Sequence, residues 1–294
     1  MPNSKPKPHP CDAAAVGVYP GVPFRDYLSW PAASSHDLGH VLRSPAHYFH
    51  NKNAGGIKVT AAMEFGSAAH AWVLDPATAP QHVAVLPEEI NRRTKIGKEQ
   101  YATFTESNSD KVIVSAPDSR RLASLAASVA HTPGAVAALE RASHVEDSLL
   151  WADEATGMLC RGRPDAWGAD LVVDLKTCLD ARPEAFAKNC AAYGYHMQGY
   201  AYTHALHVLG KVPVDCAFVI IAVESYPPHG CAVYYMSPDD LARGGEMYHE
   251  ALGTLAAAQD KEQWHGYATE QGSLIQELEL PSWHRKQHDD KYRS

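Results

Sequence analysis

The sequence predicts an α/β fold, a mixed central β-sheet flanked by helices with an N-terminal helical elaboration. Three observations carry this. The second half reads as strands and helices in the order β-β-β-α-β-β-α, an order that needs a sheet covered by helices. Within it, Gly168-Ala169-Asp170 separates two apolar runs, a hairpin signal. The first half is instead rich in alanine and in helix start and stop residues.

Taken in order, residues 1–16 read as a flexible tail and Tyr19 to Trp30 as an aromatic loop. Ser34-Ser35 offers an N-cap for a helix to about Leu42, which Ser44-Pro45 ends. A short helix over Ala46 to Lys52 runs to the Gly55-Gly56 break, and Thr60 to Leu74 forms another, ended by Asp75-Pro76. Residues 88–108 read as helical or partly irregular, and helices fit Pro117 to Ala130 and Pro133 to Arg141. Val145 to Ala152, Met158 to Trp167 and Leu171 to Thr177 are strand-like. A helix from Pro183 to Leu209 has an interruption near Tyr193-Gly194-Tyr195. Strands Val214 to Ser225 and Cys231 to Met236 follow, then a long helix from Pro238 to Trp264. No clean linker appears, so residues 17–284 are expected to form a single domain, with 285–294 a C-terminal tail.

The 294 residues, 45% hydrophobic and 20% charged, describe an ordinary globular protein with ample material for a core. No apolar run reaches membrane-spanning length, and the polar N-terminus lacks the apolar region of a secretory signal. The six cysteines include no C-x-x-C, so neither a zinc site nor an iron–sulfur cluster is suggested, and reduced thiols in a cytoplasm are the expectation. The formal net charge of −8 disfavours a nucleic-acid binder, unless bound metal or a local basic patch offsets it.

The chemistry concentrates between Gly162 and Lys176. On a strand, alternate side chains share a face, so Asp174 and Lys176 point one way while Val173 and Leu175 point into the core. Asp165, near the end of the preceding strand, lies across from that pair, with Arg163 just upstream. Two carboxylates bind a hard divalent cation, and an adjacent ammonium orients water and offsets developing negative charge. This is the chemistry of metal-assisted phosphodiester hydrolysis. An Asp-x-Lys alone is more often a solvated ion pair, so the surrounding pieces matter. His70 shares a helix face with Gly66, although a lone histidine there is more often a core residue. Gln198 and Tyr202 share a face of the helix after the Asp-x-Lys strand, with Tyr195 and His196 competing on the same segment. Arg92, Arg93, Lys95 and Lys98 form a basic run suited to phosphate, or simply a solvated surface.

The ordered set Gly66-x-x-x-His70, Gly162-Arg163-x-Asp165, Asp174-x-Lys176 and Gln198-x-x-x-Tyr202 resembles the PD-(D/E)xK nuclease superfamily, in its RecB-type branch. Arg92-Arg93-Thr94-Lys95-x-Gly97-Lys98, Tyr193-Gly194-Tyr195-His196-x-Gln198 and Leu42-x-Ser44-Pro45-Ala46-His47-Tyr48 further resemble the RecE (exonuclease VIII) exonucleases of phages and prophages. The resemblance implies a restriction-endonuclease-like core and a magnesium-dependent exonuclease, with Mn2+ as a substitute. Such an enzyme degrades one strand of linear duplex DNA from its 5′ end, leaving a 3′ overhang for a RecT-type annealing partner. It implies His70, Asp165, Asp174 and the Leu175 carbonyl as metal ligands, and Lys176 as the group that positions water and stabilises the phosphate. Gln198 and Tyr202 would support the site or the scissile nucleotide. Arg92, Arg93, Lys95, Lys98 and Arg163 are the DNA-binding candidates, and a homo-oligomeric ring in a bacterial or phage-infected cytoplasm is expected. The superfamily's further acid, ahead of the hairpin, has Glu64 and Glu146 as candidates. A structure-specific endonuclease and a binding module with a decayed site are the competing readings.

Overall fold

In the computed structural model, residues 16–54, 60–267 and 277–292 are described. Residues 1–15 of the expected N-terminal tail and the Gly55-Gly56 break fall outside them. The chain opens with β1 (Gly17–Tyr19), α1 (Phe24–Leu28), α2 (Ser35–Arg43), α3 (Pro45–Asn53), α4 (Ala61–Leu74) and α5 (Ala79–His82). There follow β2 (Val83–Leu86), α6 (Lys95–Ser107), β3 (Val112–Ser115), α7 (Ala116–Ala130) and α8 (Pro133–Arg141). The strands β4 (His144–Val145), β5 (Ser148–Ala152), β6 (Leu159–Gly162), β7 (Ala166–Trp167) and β8 (Leu171–Cys178) come next. The chain closes with α9 (Pro183–Tyr193), α10 (Tyr195–Val208), β9 (Ala217–Glu224), β10 (Cys231–Tyr235), α11 (Pro238–Asp260) and α12 (Ser282–Tyr292).

Local chemistry explains many helix starts. Ser34 caps α2 in a capping box with Asp37, and Thr60, Ser115 and Ser237 accept N3 amides at the starts of α4, α7 and α11. The mixed central sheet has strand order β10-β9-β8-β7-β4, with β8 and β9 parallel and the other pairs antiparallel. A parallel pair needs a crossover, and α9 with α10 supplies it. The period of two then sorts β8 and β9 between the two faces. Val172, Phe218, Ile220 and Ala222 pack with α2, α10 and α11; Leu171, Val173, Leu175, Ile221 and Val223 pack with α4, α7 and α8. This is the predicted fold class, a mixed sheet between helices. No single described helix is long and apolar enough to cross a membrane; α7 and α8 pass that test only as a bent pair, and their apolar residues lie in the core.

Two predicted strands are each divided. The run Val145 to Ala152 splits at Glu146, whose φ of +50° breaks the ladder, into β4 in the central sheet and β5 in a three-stranded sheet β1-β5-β6. The run Met158 to Trp167 splits likewise into β6 and β7 around Arg163-Pro164-Asp165, because Pro164 has no N–H to donate. Both strands of one long hairpin therefore change sheets at the same place, making a corner. The sequence reading also misses β1 and the parallel pair β2–β3, and it treats Phe24–Leu28 as loop and 285–292 as tail where helix is found.

The helices α10 and α11 cross in backbone contact at Gly244, where a Cβ would stand 2.2 Å from the His196 carbonyl oxygen. Gly253 on the same helix is exposed with nothing within 4 Å of its missing Cβ. Gly244→Ala is expected to lower unfolding free energy by at least about 1–3 kcal/mol, whereas Gly253→Ala raises it by about 0.8–1 kcal/mol through helix propensity. Urea titrations of the two variants check this, and equal effects would refute the close crossing.

Candidate active site

The corner builds the site. The central-sheet register pairs Val172 with Trp167 and Val173 with Ala166, so β8 runs on past the end of β7 from Asp174. On that side the Leu175 N–H meets no strand backbone, and the Asp165 carboxylate accepts it, with Oδ2 at 2.6 Å. The other Asp165 oxygen is 3.2 Å from His70 Nδ1, and His70 Nε2 is 3.0 Å from the Leu175 carbonyl oxygen. An imidazole ring facing two acceptors is satisfied only when both nitrogens carry protons. The helix that delivers it, α4, passes β8 at ordinary distance, a Cβ on Gly66 meeting Thr177 Oγ1 at 3.7 Å.

On the neighbouring face of β8, Lys176 Nζ lies 2.7 Å from Asp174 Oδ2. That oxygen is buried and has no aligned hydrogen-bond donor, so the contact is an ion pair and little more. The Lys176 ammonium also sits 4.7 Å from the centre of the Tyr195 ring, a cation–π contact.

The four groups titrate as a set. Burial would push Asp165 up, but His70 by charge and hydrogen bond, with Lys176 and the Leu175 amide, holds it below the usual carboxylate range. Burial dominates at Asp174 and, with Asp165 adding repulsion, lifts it to about 6 despite Lys176. Burial opposes the charge on His70, yet Asp165 outweighs it and raises the imidazole to about 9. Lys176 is likewise opposed by burial and raised by Asp174 and Asp165. The result is one firm carboxylate, one reluctant carboxylate, and two groups held cationic beside them.

From α10, Gln198 Nε2 donates to the Tyr202 hydroxyl at 3.0 Å. Tyr202 is buried, and its ring lies so close to Gly162 that a Cβ there would stand 3.0 Å from it. Burial, with Tyr27, Asp174 and Asp165 adding, raises the phenol well above its ordinary range. The pair thus forms a neutral floor beside the acids.

A model of PDDEXK-like domains of unknown function (DUF3799) matches residues 34–276. The chain belongs to this family. Among solved structures, a proposed exonuclease from Eubacterium rectale aligns at TM-score 0.53 and 12% identity, over 85% of this chain and 90% of its own, which supports the shared fold. The protein SSO0001 aligns at TM-score 0.29 and 12% identity, over 72% of this chain and 86% of its own, too distant to carry an argument. No curated protein matches. A PDDEXK-like domain is a nuclease hydrolase, and nucleases of this type generally use divalent metals.

The residues fit such an ion. Asp165, Asp174 and the Leu175 carbonyl are hard oxygen donors, and the buried Asp174 carboxylate, lifted to about 6 even with Lys176 paired to it, would gain from further positive charge. Among the described residues, no three His, Cys, Asp or Glu side chains stand ready around one point, because His70 bridges Asp165 and Leu175.

Other sequence-predicted residues are placed differently. Arg163 has partners within the chain. Its guanidinium donates to Ser148 Oγ at 2.6 and 3.1 Å and to the Val22 carbonyl at 2.8 Å, and stacks over Tyr27 and Phe24. Nε and Nη2 thus tie the N-terminal segment to β5, a structural role beside the expected DNA contact. Arg92, Arg93, Lys95 and Lys98 are exposed at the start of α6, with Arg92 over the Tyr101 ring, and no hydrogen bond or ion pair joins them to the site. Glu64 is exposed in the first turn of α4, whereas the Glu146 N–H donates to the Asp165 carbonyl at 2.9 Å. Of the two acids, Glu146 stands at the corner. Tyr195, expected only as a competing candidate on the segment of Gln198 and Tyr202, lies beside Lys176.

Two expectations follow. Without metal, Asp174 contributes stability that is full below 3.8 and lost as pH rises through about 6; His70 contributes stability full below 6.5 and lost through about 9. In chelator, the melting temperature should therefore fall in two stages with rising pH, and Asp174→Asn should remove the first; parallel curves would refute the assignment. Arg163→Lys loses the fork and the stacking, and is expected to cost about 1–3 kcal/mol of stability. In a duplex-binding titration the salt slope of the variant decides its role: an unchanged slope is expected, and a lowered one makes Arg163 a phosphate contact.

Proposed function

We propose that the chain is a divalent-metal-dependent exodeoxyribonuclease that hydrolyses linear double-stranded DNA from its ends, 5′ to 3′, leaving 3′ single-stranded overhangs. The observation that carries this reading is the strand-break constellation of Asp165, Asp174 and Lys176, with Lys176 2.7 Å from Asp174 and both acids buried. Membership of the PDDEXK-like family supports hydrolysis of a phosphodiester.

Asp165, Asp174, the Leu175 carbonyl and a deprotonated His70 are the groups that would hold Mg2+, with Mn2+ as substitute; the ion supplies Lewis-acid stabilisation of charge on the phosphoryl oxygens. The chain's own residues do the rest. Lys176 is held as an ammonium and so is no base; it donates to the attacking water and to a phosphoryl oxygen as negative charge gathers there. The Tyr195 ring and Asp174 fix its direction. Gln198 and Tyr202 hold each other beside Gly162, so the floor of the site cannot shift with the substrate. Before an ion binds, protonated His70 keeps Asp165 ionised and aimed at the end of β8, and it would give up that proton to serve as a ligand.

In this reading the RecE-like resemblance extends to biology: a homo-oligomeric ring encloses the duplex, the overhang passes to a RecT-type annealing protein, and the setting is a bacterial cytoplasm. Among the described residues, the free thiols Cys160, Cys178, Cys190, Cys216 and Cys231 suit a reducing compartment.

The test is digestion of linear duplex labelled at the 5′ or 3′ end, in Mg2+, Mn2+ or chelator, beside a covalently closed circle. Loss from the 5′ end that needs metal and spares the circle is expected. Lys176→Ala should slow it by about 10²–10³-fold while duplex binding persists. Cutting of the circle would make the protein an endonuclease, and binding without cleavage in any metal would leave a binding module.

A further inference from the structure

We infer that the exposed ring of Tyr193 is a stacking face for an unpaired base next to the scissile phosphate, so that the site takes single-stranded or frayed ends. This deepens the nuclease reading and rests on it.

The argument begins with Gly194. In a continuous helix, residues two apart point in nearly opposite directions. Gly194 instead takes φ 67° and ψ 34°, ending α9 and starting α10, a left-handed conformation that glycine adopts without strain. The break turns Tyr193 and Tyr195 to the same side, with ring centres 5.8 Å apart and planes 28° apart. Tyr195 is itself 4.7 Å from the Lys176 ammonium, so the two separations carry the stack from the reacting group outward on the scale of one nucleotide.

The inner end of the stack is anchored. Tyr195 leans on buried Phe186 at 6.2 Å, Phe186 stacks on Tyr234 at 5.4 Å, and the Tyr234 hydroxyl donates to the Ala181 carbonyl. The outer end is open. Tyr193 is 71% exposed, although a tyrosine with no partner on its outer face gains little from being held there. Every base has a π-face, so an aromatic ring fixed beside a phosphate-handling group suits a base that has left its duplex, and does so without regard to sequence. A paired base inside a duplex has both faces covered and cannot use it.

The experiment uses an oligonucleotide with 2-aminopurine at its terminal unpaired position and phosphorothioate linkages that resist cleavage. Wild-type protein should quench the fluorophore on binding. Tyr193→Ala should abolish the quench and weaken binding roughly tenfold, while Tyr193→Phe preserves both. An abasic residue at the same position should weaken wild-type binding by a similar factor and Tyr193→Ala no further. Unchanged quenching in Tyr193→Ala, or a full abasic penalty in that variant, would overturn the inference. The unprotected duplex separates the two readings. Quenching with no hydrolysis in Mg2+ or Mn2+ defeats the nuclease and leaves the stack, whereas hydrolysis and quenching indifferent to Tyr193 defeat the stack and leave the nuclease.

Discussion

A carboxylate standing in for a missing strand is the constraint on which the rest of this structure depends. Pro164 takes the chain out of one sheet and into another, and the price is an unserved amide on β8. Asp165 fills that gap at 2.6 Å. Because one of its oxygens is committed to the backbone, only the other is left to face His70 and the interior. The same residue therefore closes the fold and aims the site. A neutral substitute would keep some of the hydrogen bonding but lose the charge that holds His70 protonated, so structure and electrostatics are not separable at this position.

The acids divide the work by environment. Asp165 has a cation and an amide and stays ionised; Asp174, one residue ahead on β8, has a cation but no aligned donor, and burial lifts it. Two carboxylates this close cannot both be comfortable without more positive charge than Lys176 and His70 provide. That imbalance also bears on the net charge of −8. Clustered acids that repel a phosphate in isolation become its attachment point once a divalent ion lies among them, so an acidic chain and a nucleic-acid substrate are compatible at this corner.

Much of this was legible in the sequence, and what was not has physical causes. Asp174 and Lys176 were placed on one face because the strand period is local, and the start of α2 followed from the capping serine Ser34. The sheet change was not legible: nothing in Glu146 announces a left-handed φ, and Pro164 marks an interruption without saying where the chain resumes. The three-residue β1 and four-residue β2 and β3 owe their existence to distant partners rather than to their own sequence. The structural partners of Arg163, Ser148 and Val22, were not legible because they are 15 and 141 residues away. His70 has no local signature beyond its helix; the family pattern singled it out, and the geometry places it against Asp165.

Gly194 shows how one backbone angle coordinates two halves of the site. If α9 and α10 were one helix, Tyr193 and Tyr195 would stand about 200° apart around its axis and could not stack, whereas Tyr195, Gln198 and Tyr202, three and seven residues apart, share one face of α10. The left-handed residue resets the phase. It lets α10 present Gln198 and Tyr202 to the floor while its first residue, Tyr195, lies beside Lys176 and stacks on Tyr193. A residue with a Cβ would disfavour this angle by about 1–2 kcal/mol, enough to compete with a single cation–π contact. The turn and the aromatic pair beside Lys176 are thus coupled, and the glycine belongs to the site although it has no side chain to contribute.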